Sequence, residues 1–281
     1  TAPYNSELVD VVLNPSTTYY IVIDGYGTAE NGNYQLDVFP GNAPPGPEIP
    51  FTDATALLPT TVFHSGVAIG VSDMNNDGLD DIIRNYENDS VFINFQQPNG
   101  TFTEEQYTTL NANGAWSMCV ADVDNDGWND MIYAGWGYVR LMRNNGGMGF
   151  TEENIPVTPT NPPGFFFAQG ANFADINNDG WSDLFVCNDV GTSKIILNDG
   201  AGNIAEDLNY MDLSTTPASD NSGNYASMWT DYDDDGDLDF YITKCRQGVT
   251  DNTDPRRINQ LFRNDGNNNW TEVGALAGVN S

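Results

Sequence analysis

The sequence predicts an all-β fold built from repeated four-stranded units, and three observations support this prediction. A nine-residue acidic segment of the form D-x-[DN]-x-D-G-x-x-D occurs four times, beginning at Asp73, Asp122, Asp175 and Asp231. The spacing of about 50 residues between copies is typical of propellers and arrays. Each copy lies between two short segments of strand-forming composition. Together these features indicate a β-propeller made of four-stranded blades.

Length and charge restrict the possible partners. The chain has 281 residues, of which 39% are hydrophobic, so it can bury a sizeable core. Its net charge of -31 argues against nucleic acid and anionic membranes as partners, because both are bound by basic patches. Such a charge also destabilises a compact state, so we expect many of the acidic residues to bind cations. No apolar run approaches the ~20 residues of a membrane span.

The first 40 residues read as strands separated by turns. Residues 17–24 (TTYYIVID) and 34–39 (YQLDVF) have strand composition, and Gly and Asn residues separate them. This stretch resembles the C-terminal half of the bacterial pre-peptidase C-terminal domain, a small secreted β-sandwich. The resemblance implies that residues 1–40 are the C-terminal part of a β-sandwich and that the chain begins inside a domain. Residues 41–50 (GNAPPGPEIP) then form a Pro-rich linker, the predicted domain boundary.

Residues 51–281 carry the repeats. Each unit reads as a strand of small residues, the acidic segment, a second strand, a third strand ending in Asn, and an outer strand that contains Thr-Glu, or Ala-Glu in the third unit. The third-strand Asn is Asn94, Asn144, Asn198 or Asn264. The predicted blades cover approximately residues 62–109, 110–158, 164–213 and 222–277. Residues 51–55 match the outer-strand pattern once more, so they are expected to complete another blade, which makes the ring in this chain incomplete.

The acidic segments have the composition of calcium loops. Positions 1, 3 and 5 supply side-chain oxygens, Gly at position 6 permits a tight turn, position 7 supplies its carbonyl and position 9 supplies a carboxylate. Oxygen ligands and three or four carboxylates favour Ca²⁺ over Mg²⁺. An EF-hand is excluded because position 12 is never Glu; it is Arg84, Tyr133, Val186 or Ile242. The alternative is an Asp/Asn/Gly turn that binds nothing, which fits one loop better than four.

The predicted Ca²⁺ ligands are therefore the residues at positions 1, 3, 5, 7 and 9 of about four sites. In loop 1 they are Asp73, Asn75, Asp77, Leu79 and Asp81. In loop 2 they are Asp122, Asp124, Asp126, Trp128 and Asp130. In loop 3 they are Asp175, Asn177, Asp179, Trp181 and Asp183. In loop 4 they are Asp231, Asp233, Asp235, Asp237 and Asp239, and the additional acid Asp234 makes this the loop expected to depend most on calcium.

The complete repeat resembles a known family. Its pattern, with the calcium loop, the third strand ending in Asn, a Gly-rich turn and [FW]-Thr-Glu, is similar to the FG-GAP (VCBS-type) repeats of bacterial secreted proteins and to the calcium-bearing blades of integrin α-subunits. The resemblance covers roughly residues 51–281. It implies a β-propeller with structural Ca²⁺, an extracellular location and about three more blades outside this chain.

Other residues give weaker indications. His64 has no recognisable nucleophilic partner, and no catalytic motif is present, so we predict no enzymatic activity and no catalytic residues. The three cysteines are read as small buried residues, with one disulfide and one free thiol as the alternative. Six aromatic residues are read as core, or else as a sugar-stacking platform: Trp116, Phe165, Phe166, Phe167, Tyr225 and Trp229. Five basic residues of blade 4 either offset nearby acids or form a docking patch: Lys244, Arg246, Arg256, Arg257 and Arg263.

The predicted function is that of a secreted or cell-surface calcium-binding scaffold for adhesion, ligand binding or extracellular assembly. Its expected partners, besides calcium, are glycans, surface proteins or further copies of the chain. The alternative is an accessory, non-catalytic region of a larger secreted hydrolase or polysaccharide lyase. Pre-peptidase-type domains often accompany such enzymes, so sequence beyond either end of the chain would separate the two interpretations.

Overall fold

The computed structural model describes residues 52–59, 68–86, 90–110, 114–159 and 165–280. The chain divides into two units, Thr1–Thr55 and Ala56–Ser281. The β-sandwich and linker predicted for residues 1–50, and His64, lie outside the described residues. The outer strand predicted at residues 51–55 is not formed among the described residues of this range: residues 52–54 lie in no strand, and a 3₁₀ helix covers Thr55–Leu57. Because the blade that would pair with this strand is predicted to lie outside the chain, the pairing stays a prediction.

Four antiparallel sheets of four strands each confirm the predicted all-β fold of propeller-type blades. Blade 1 contains β1 (Ile69–Ser72), β2 (Asp81–Tyr86), β3 (Ser90–Gln96) and β4 (Phe102–Thr108). Blade 2 contains β5 (Ser117–Ala121), β6 (Asp130–Gly135), β7 (Tyr138–Asn144) and β8 (Phe150–Asn154). Blade 3 contains β9 (Ala168–Ala174), β10 (Asp183–Asn188), β11 (Lys194–Asn198) and β12 (Ile204–Glu206). Blade 4 contains β13 (Asn224–Thr230), β14 (Asp239–Lys244), β15 (Gln260–Asn264) and β16 (Trp270–Glu272).

Within each blade the strands follow one another in chain order, each antiparallel to the next. The first strands lie side by side, β1 against β5, β5 against β9 and β9 against β13, so they form the inner edge. Small residues such as Gly70 and Gly170 allow this approach: a Cβ added to Gly170 would lie 2.8 Å from the Tyr225 carbonyl oxygen. The outer strand β4 alternates between partly buried and exposed residues, as expected for a solvent-facing edge.

The hydrophobic core lies between neighbouring blades. One cluster joins blades 1 and 2 around Ile83 and Met131, a second joins blades 2 and 3 around Ile132 and Leu184, and a third joins blades 3 and 4 around Phe185 and Phe240. Strands β6 and β10 are buried at every position because a blade covers each face of their sheets. Among the described residues no hydrophobic cluster joins blades 1 and 4, and the incomplete ring stays a prediction.

Two features interrupt the regular blades. Blade 4 has a long connection between β14 and β15, which includes residues 246–257. A four-residue helix α1 (Gly274–Ala277) follows the outer strand β16. Across the described parts of the chain, no helix is long and apolar enough to cross a membrane.

Candidate metal sites

Each acidic loop connects the inner strand of a blade to its second strand, and its backbone turns at two left-handed residues. Position 6 is always Gly, with φ between +83° at Gly78 and +96° at Gly236. Position 4 is also left-handed, with φ values of 58°, 55°, 57° and 69° at Asn76, Asn125, Asn178 and Asp234. Asn and Asp are the side chains that best tolerate this region, so the composition of position 4 has a backbone cause that the sequence analysis missed.

The position 1 carboxylate closes the loop onto its own backbone. Its two oxygens accept hydrogen bonds from the N–H groups of positions 5 and 6; in loop 2, Asp126 N lies 3.0 Å from Asp122 Oδ1 and Gly127 N lies 2.8 Å from Asp122 Oδ2. The other three loops repeat both bonds. The position 5 carboxylate accepts the N–H of position 7 in all four, at 2.9 to 3.1 Å. The backbone thus places two acidic side chains on the inner side of the turn.

The position 9 carboxylate is buried and joins the loop to the third strand. In loop 3, Asp183 Oδ2 accepts the N–H of Ile176 at 2.9 Å and Oδ1 accepts the N–H of Asn198 at 2.7 Å. The same two bonds occur in every blade. Burial raises the pKa of Asp81, Asp130 and Asp183 to about 6, although the N–H groups oppose this shift. A cation beside these carboxylates would favour their charged form.

Three carboxylates converge where position 3 is also Asp. Oxygens of Asp122, Asp124 and Asp130, and likewise of Asp231, Asp233 and Asp239, lie within 4.8 Å of one another. Asp124 Oδ1 is buried and has no hydrogen-bond partner, although buried carboxylate oxygens are normally paired. A hard divalent cation suits this donor set, because it would satisfy that oxygen and offset the clustered charge. Asp126 and Asp235, at position 5, lie outside the two converging sets.

Loops 1 and 3 hold position 3 in another way. The Asn75 amide accepts the N–H of Asp77 at 3.1 Å and donates to Asp77 Oδ2 at 3.2 Å. The corresponding distances from Asn177 to Asp179 are 3.0 and 2.9 Å. Both loops therefore keep an oxygen-bearing side chain at position 3 with one carboxylate fewer.

Position 7 contributes more than its backbone. The ring of Trp128 covers the β7–β8 turn, so that a Cβ added to Gly147 would lie 2.9 Å from Trp128 Cζ3, and Trp181 lies beside Gly200 in the same way. Asp237, the equivalent residue of loop 4, has a buried and unpaired Oδ1, and desolvation raises its pKa to about 6. The carbonyl ligand predicted at position 7, which includes Leu79, stays a prediction.

In blades 2 and 3 the asparagine at the end of the third strand binds the loop of the preceding blade. Asn144 Nδ2 donates to the carbonyl oxygen of Met74 in loop 1 at 2.8 Å, and Asn198 Nδ2 donates to that of Val123 in loop 2 at 2.8 Å. In the connection between blades 3 and 4, the Tyr210 hydroxyl donates to the Ile176 carbonyl of loop 3 at 3.2 Å. The sequence pattern found these asparagines but not their function, which is to connect consecutive blades.

Blade 1 differs from the predicted alignment. The N–H that binds Asp81 Oδ1 belongs to Gln96, at 2.9 Å, whereas in blade 2 the corresponding N–H belongs to Asn144. Gln96, and not Asn94, is therefore the equivalent of Asn144. The predicted match of Asn94 is wrong because it counts from the loop. In the sheet register Asn94 pairs with Ile82, as Met142 pairs with Met131, so Asn94 is the equivalent of Met142. Asn94 instead donates to Glu104.

The glutamate of the outer strand anchors the chain as it enters a blade. Glu152 accepts the N–H of Leu110 at 2.8 Å, and Glu206 accepts the N–H of Thr158 at 2.5 Å. Glu206 also pairs with Lys194 at 2.9 Å, and both side chains are buried. The repeated glutamate of the outer strand thus has a structural role in blades 2 and 3.

The weaker indications from the sequence divide as follows. The three cysteines are unpaired thiols; Cys187 is buried, which raises its pKa to about 12, but Cys245 is exposed, so the prediction of three buried cysteines is wrong there. Phe166 and Phe167 are buried, whereas Phe165 is exposed and packs edge-on against Trp136 at 5.2 Å. The blade 4 cations contact acids or amides, Arg246 with Asp189, Arg256 with Asp254, Arg263 with Asp265 and Lys244 with Asn224, which fits the offsetting interpretation.

Comparison with known proteins gives one family and several distant structures. Residues 73–133, 122–186 and 175–242 match the family model described as FG-GAP-like repeat. No curated protein matches the chain. Similar structures include BBS1N in complex with ARL6DN, at 13% identity over 72% of this chain and 55% of that chain with a TM-score of 0.45. The V. cholerae biofilm matrix protein Bap1 is 16% identical over 69% of this chain and 26% of that chain, with a TM-score of 0.42.

A third structure, the Pseudomonas aeruginosa PilY1 C-terminal domain, is 10% identical over 70% of this chain and 48% of that chain, with a TM-score of 0.46. The chain therefore spans about half or less of the length of these proteins. Likenesses this distant indicate neither a ligand nor a partner.

Proposed function

This chain belongs to the FG-GAP-like repeat family, and from that premise we propose that it is an extracellular calcium-binding repeat scaffold with one structural Ca²⁺ in each of its four loops. One observation carries the proposal. Carboxylates from the start, the middle and the end of the same loop converge within 4.8 Å in loops 2 and 4, and the backbone of loops 1 and 3 makes the same hydrogen bonds. The proposed ligands are those predicted at positions 1, 3, 5, 7 and 9.

The donor set favours calcium among the common metals. All the converging atoms are oxygens, and no His or Cys belongs to either cluster, which disfavours zinc and copper. The loop is exposed and irregular, so it can satisfy the six to eight ligands of Ca²⁺ more easily than the strict octahedron of Mg²⁺. Backbone carbonyls or water would complete the coordination.

The ion would act on the fold. Position 9 binds both the loop backbone and the third strand, so a cation held by positions 1, 3 and 9 ties the inner strand to the rest of its sheet. Without a cation the same carboxylates repel one another across short distances. Calcium binding therefore stabilises each blade, and the chain works where calcium is abundant.

Calcium sites of extracellular modules bind at roughly 10⁻⁴–10⁻³ M, which fills them outside cells and leaves them empty in the cytosol. We therefore place the protein at the cell surface or in the medium, where the blades present loops to glycans, proteins or further copies of the chain. The alternative, an accessory region of a secreted hydrolase or lyase, depends on residues 1–40 and on sequence beyond the chain.

The test is thermal unfolding of the chain in 10 mM CaCl₂, in 10 mM MgCl₂ and in EDTA. At a hundredfold excess over Kd, each occupied site adds about 2.7 kcal/mol to the free energy of unfolding, so calcium should raise the melting temperature strongly and magnesium weakly. Asp122→Asn should reduce the calcium effect, whereas Asp212→Asn removes one exposed charge outside the loops and should not. Equal melting temperatures in calcium and EDTA would exclude the proposed function.

A further inference from the structure

Two of the four loops carry an arginine from the third strand beside position 3. The residue that precedes Asn144 and its equivalents is Phe95 in blade 1, Arg143 in blade 2, Leu197 in blade 3 and Arg263 in blade 4. Position 3 alternates in the same order, Asn75, Asp124, Asn177 and Asp233. An arginine is therefore present where position 3 is charged and absent where it is neutral.

In blade 2 the arginine fixes the acid from outside the loop. Arg143 Nη1 lies 3.4 Å from Asp124 Oδ2, whereas the buried Oδ1 of that carboxylate has no hydrogen-bond partner. The same guanidinium binds Glu153 at 2.7 Å through Nε and donates to the Gly202 carbonyl of blade 3. Arg143 is only slightly exposed, so its position is well defined.

Blade 4 repeats the arrangement in a looser form. Arg263 Nε lies 4.0 Å from Asp233 Oδ2 and 2.7 Å from Asp265 Oδ1. Loops 1 and 3 have no arginine at this place, and there the amide of Asn75 or Asn177 is held by position 5 instead.

At positions 1, 3, 5 and 9 the arginines equalise the charge of the four loops, although loop 4 also carries Asp234 and Asp237. Positions 1, 3, 5 and 9 contain three carboxylates in loops 1 and 3 and four in loops 2 and 4. With one guanidinium added, all four sets carry three negative charges. We propose that Arg143 and Arg263 are internal counter-ions, which hold the position 3 carboxylate in the metal-free loop and limit the dependence of loops 2 and 4 on calcium. Only the statement about calcium dependence rests on the proposed function; the statement about the metal-free loop does not.

A counter-ion acts in opposite directions on the two states of the loop. In the metal-free loop it relieves the repulsion among four carboxylates, and in the loaded loop it repels the divalent ion. Its removal should therefore destabilise the chain without calcium and increase the stabilisation that calcium provides. A residue that acts only through packing or through its bond to Gly202 would destabilise both states alike.

The experiment compares Arg143→Leu with the double variant Asp124→Asn/Arg143→Leu, which gives blade 2 the residues of blade 3 at position 3 and at the third-strand position. Both variants lose the bonds to Glu153 and Gly202, so they differ only in the side chain at position 3. Asp124→Asn alone, with Arg143 in place, measures the contribution of an amide at that position, which donates to position 5 in loops 1 and 3. In EDTA we expect the single variant to melt about 2–4 °C below the double variant. In calcium the single variant should show the larger increase in melting temperature.

Equal melting of the two variants in EDTA would overturn the inference, because the charge of Asp124 would then not need Arg143. If Arg143→Leu does not fold while the double variant does, the inference is supported in its strongest form. If neither folds, the pair Arg263→Leu and Asp233→Asn/Arg263→Leu gives the same comparison in blade 4, where the arginine is more exposed. The EDTA comparison is independent of calcium binding, so failure of the proposed function would be recognised separately, from the melting of the unmodified chain.

Discussion

At the scale of single residues, the loops are specified by a few side chains with distinct physical functions. Carboxylates at positions 1 and 5 bind the backbone of the turn, and left-handed residues at positions 4 and 6 give the turn its shape. The sequence predicted the acids and the glycine because their chemistry is specific. It did not predict Trp128 packing on the next turn, since a side chain at position 7 has no restriction that is visible in the motif.

The glycine at position 6 gives the first prediction. Gly127 has φ of +92° and open space around its Cα, so Gly127→Ala introduces backbone strain but no clash. We expect it to lower the free energy of unfolding by about 1–2 kcal/mol. The matched control is Gly114→Ala, where the space is also open and no positive φ occurs. Chemical denaturation in EDTA measures both; equal values for the two variants would contradict the backbone argument.

Lys244 gives a prediction for pH. The side chain is buried, its Nζ donates to Asn224 Oδ1 at 2.6 Å, and burial lowers its pKa to about 8, whereas 10.5 is the ordinary value. The Lys244 amine therefore binds its proton more tightly in the unfolded chain than in the folded one. The charged, buried amine destabilises the folded chain, and this cost decreases as the pH rises from about 8 to 10.5. The stability of the unmodified chain relative to Lys244→Met should increase over this range. Urea unfolding at pH 7 and pH 9.5 measures the difference, and a constant difference would contradict the prediction.

At the scale of strands and blades, the connections between elements were harder to predict than the elements. The hydrophobic and turn patterns predicted four strands for each blade, because alternation and Gly-rich turns are local signals. The contacts of Asn144 and Asn198 join residues about 70 positions apart, and no local pattern contains them. The misplaced Asn94 has the same cause, since register in a sheet depends on hydrogen bonds and not on the count from a motif.

The inter-blade asparagine supports a prediction at this scale. Asn198 Nδ2 donates to the carbonyls of Val123 and Ser182, and its Oδ1 accepts the N–H groups of Gly200 and Gly202. Asn198→Ala leaves buried backbone groups unpaired and should cost about 2–3 kcal/mol of unfolding free energy. Asn209→Ala, at an exposed asparagine, should stay within about 0.5 kcal/mol of the unmodified chain. A loss below 1 kcal/mol for Asn198→Ala would contradict the assigned role.

At the scale of the whole molecule, the strong negative charge and the repeated loops have a common explanation. The net charge of -31 would disfavour a compact chain, and many of its acids are concentrated in loops whose geometry suits a divalent cation. The period of the repeats was sufficient to predict the number of blades in this chain. The closure of the ring and the identity of a partner depend on contacts outside the repeat, so a repeat motif contains no information about them.

The number of calcium ions bound per chain tests the central claim most directly. After dialysis against 5 mM CaCl₂ and measurement of calcium by mass spectrometry in parallel with the buffer, we predict about four ions per chain, one for each loop. A chain with Asp122→Asn, Asp124→Asn and Asp130→Asn should bind one ion fewer. A calcium content equal to that of the buffer would contradict the account, because the four loops would then be turns that bind no metal.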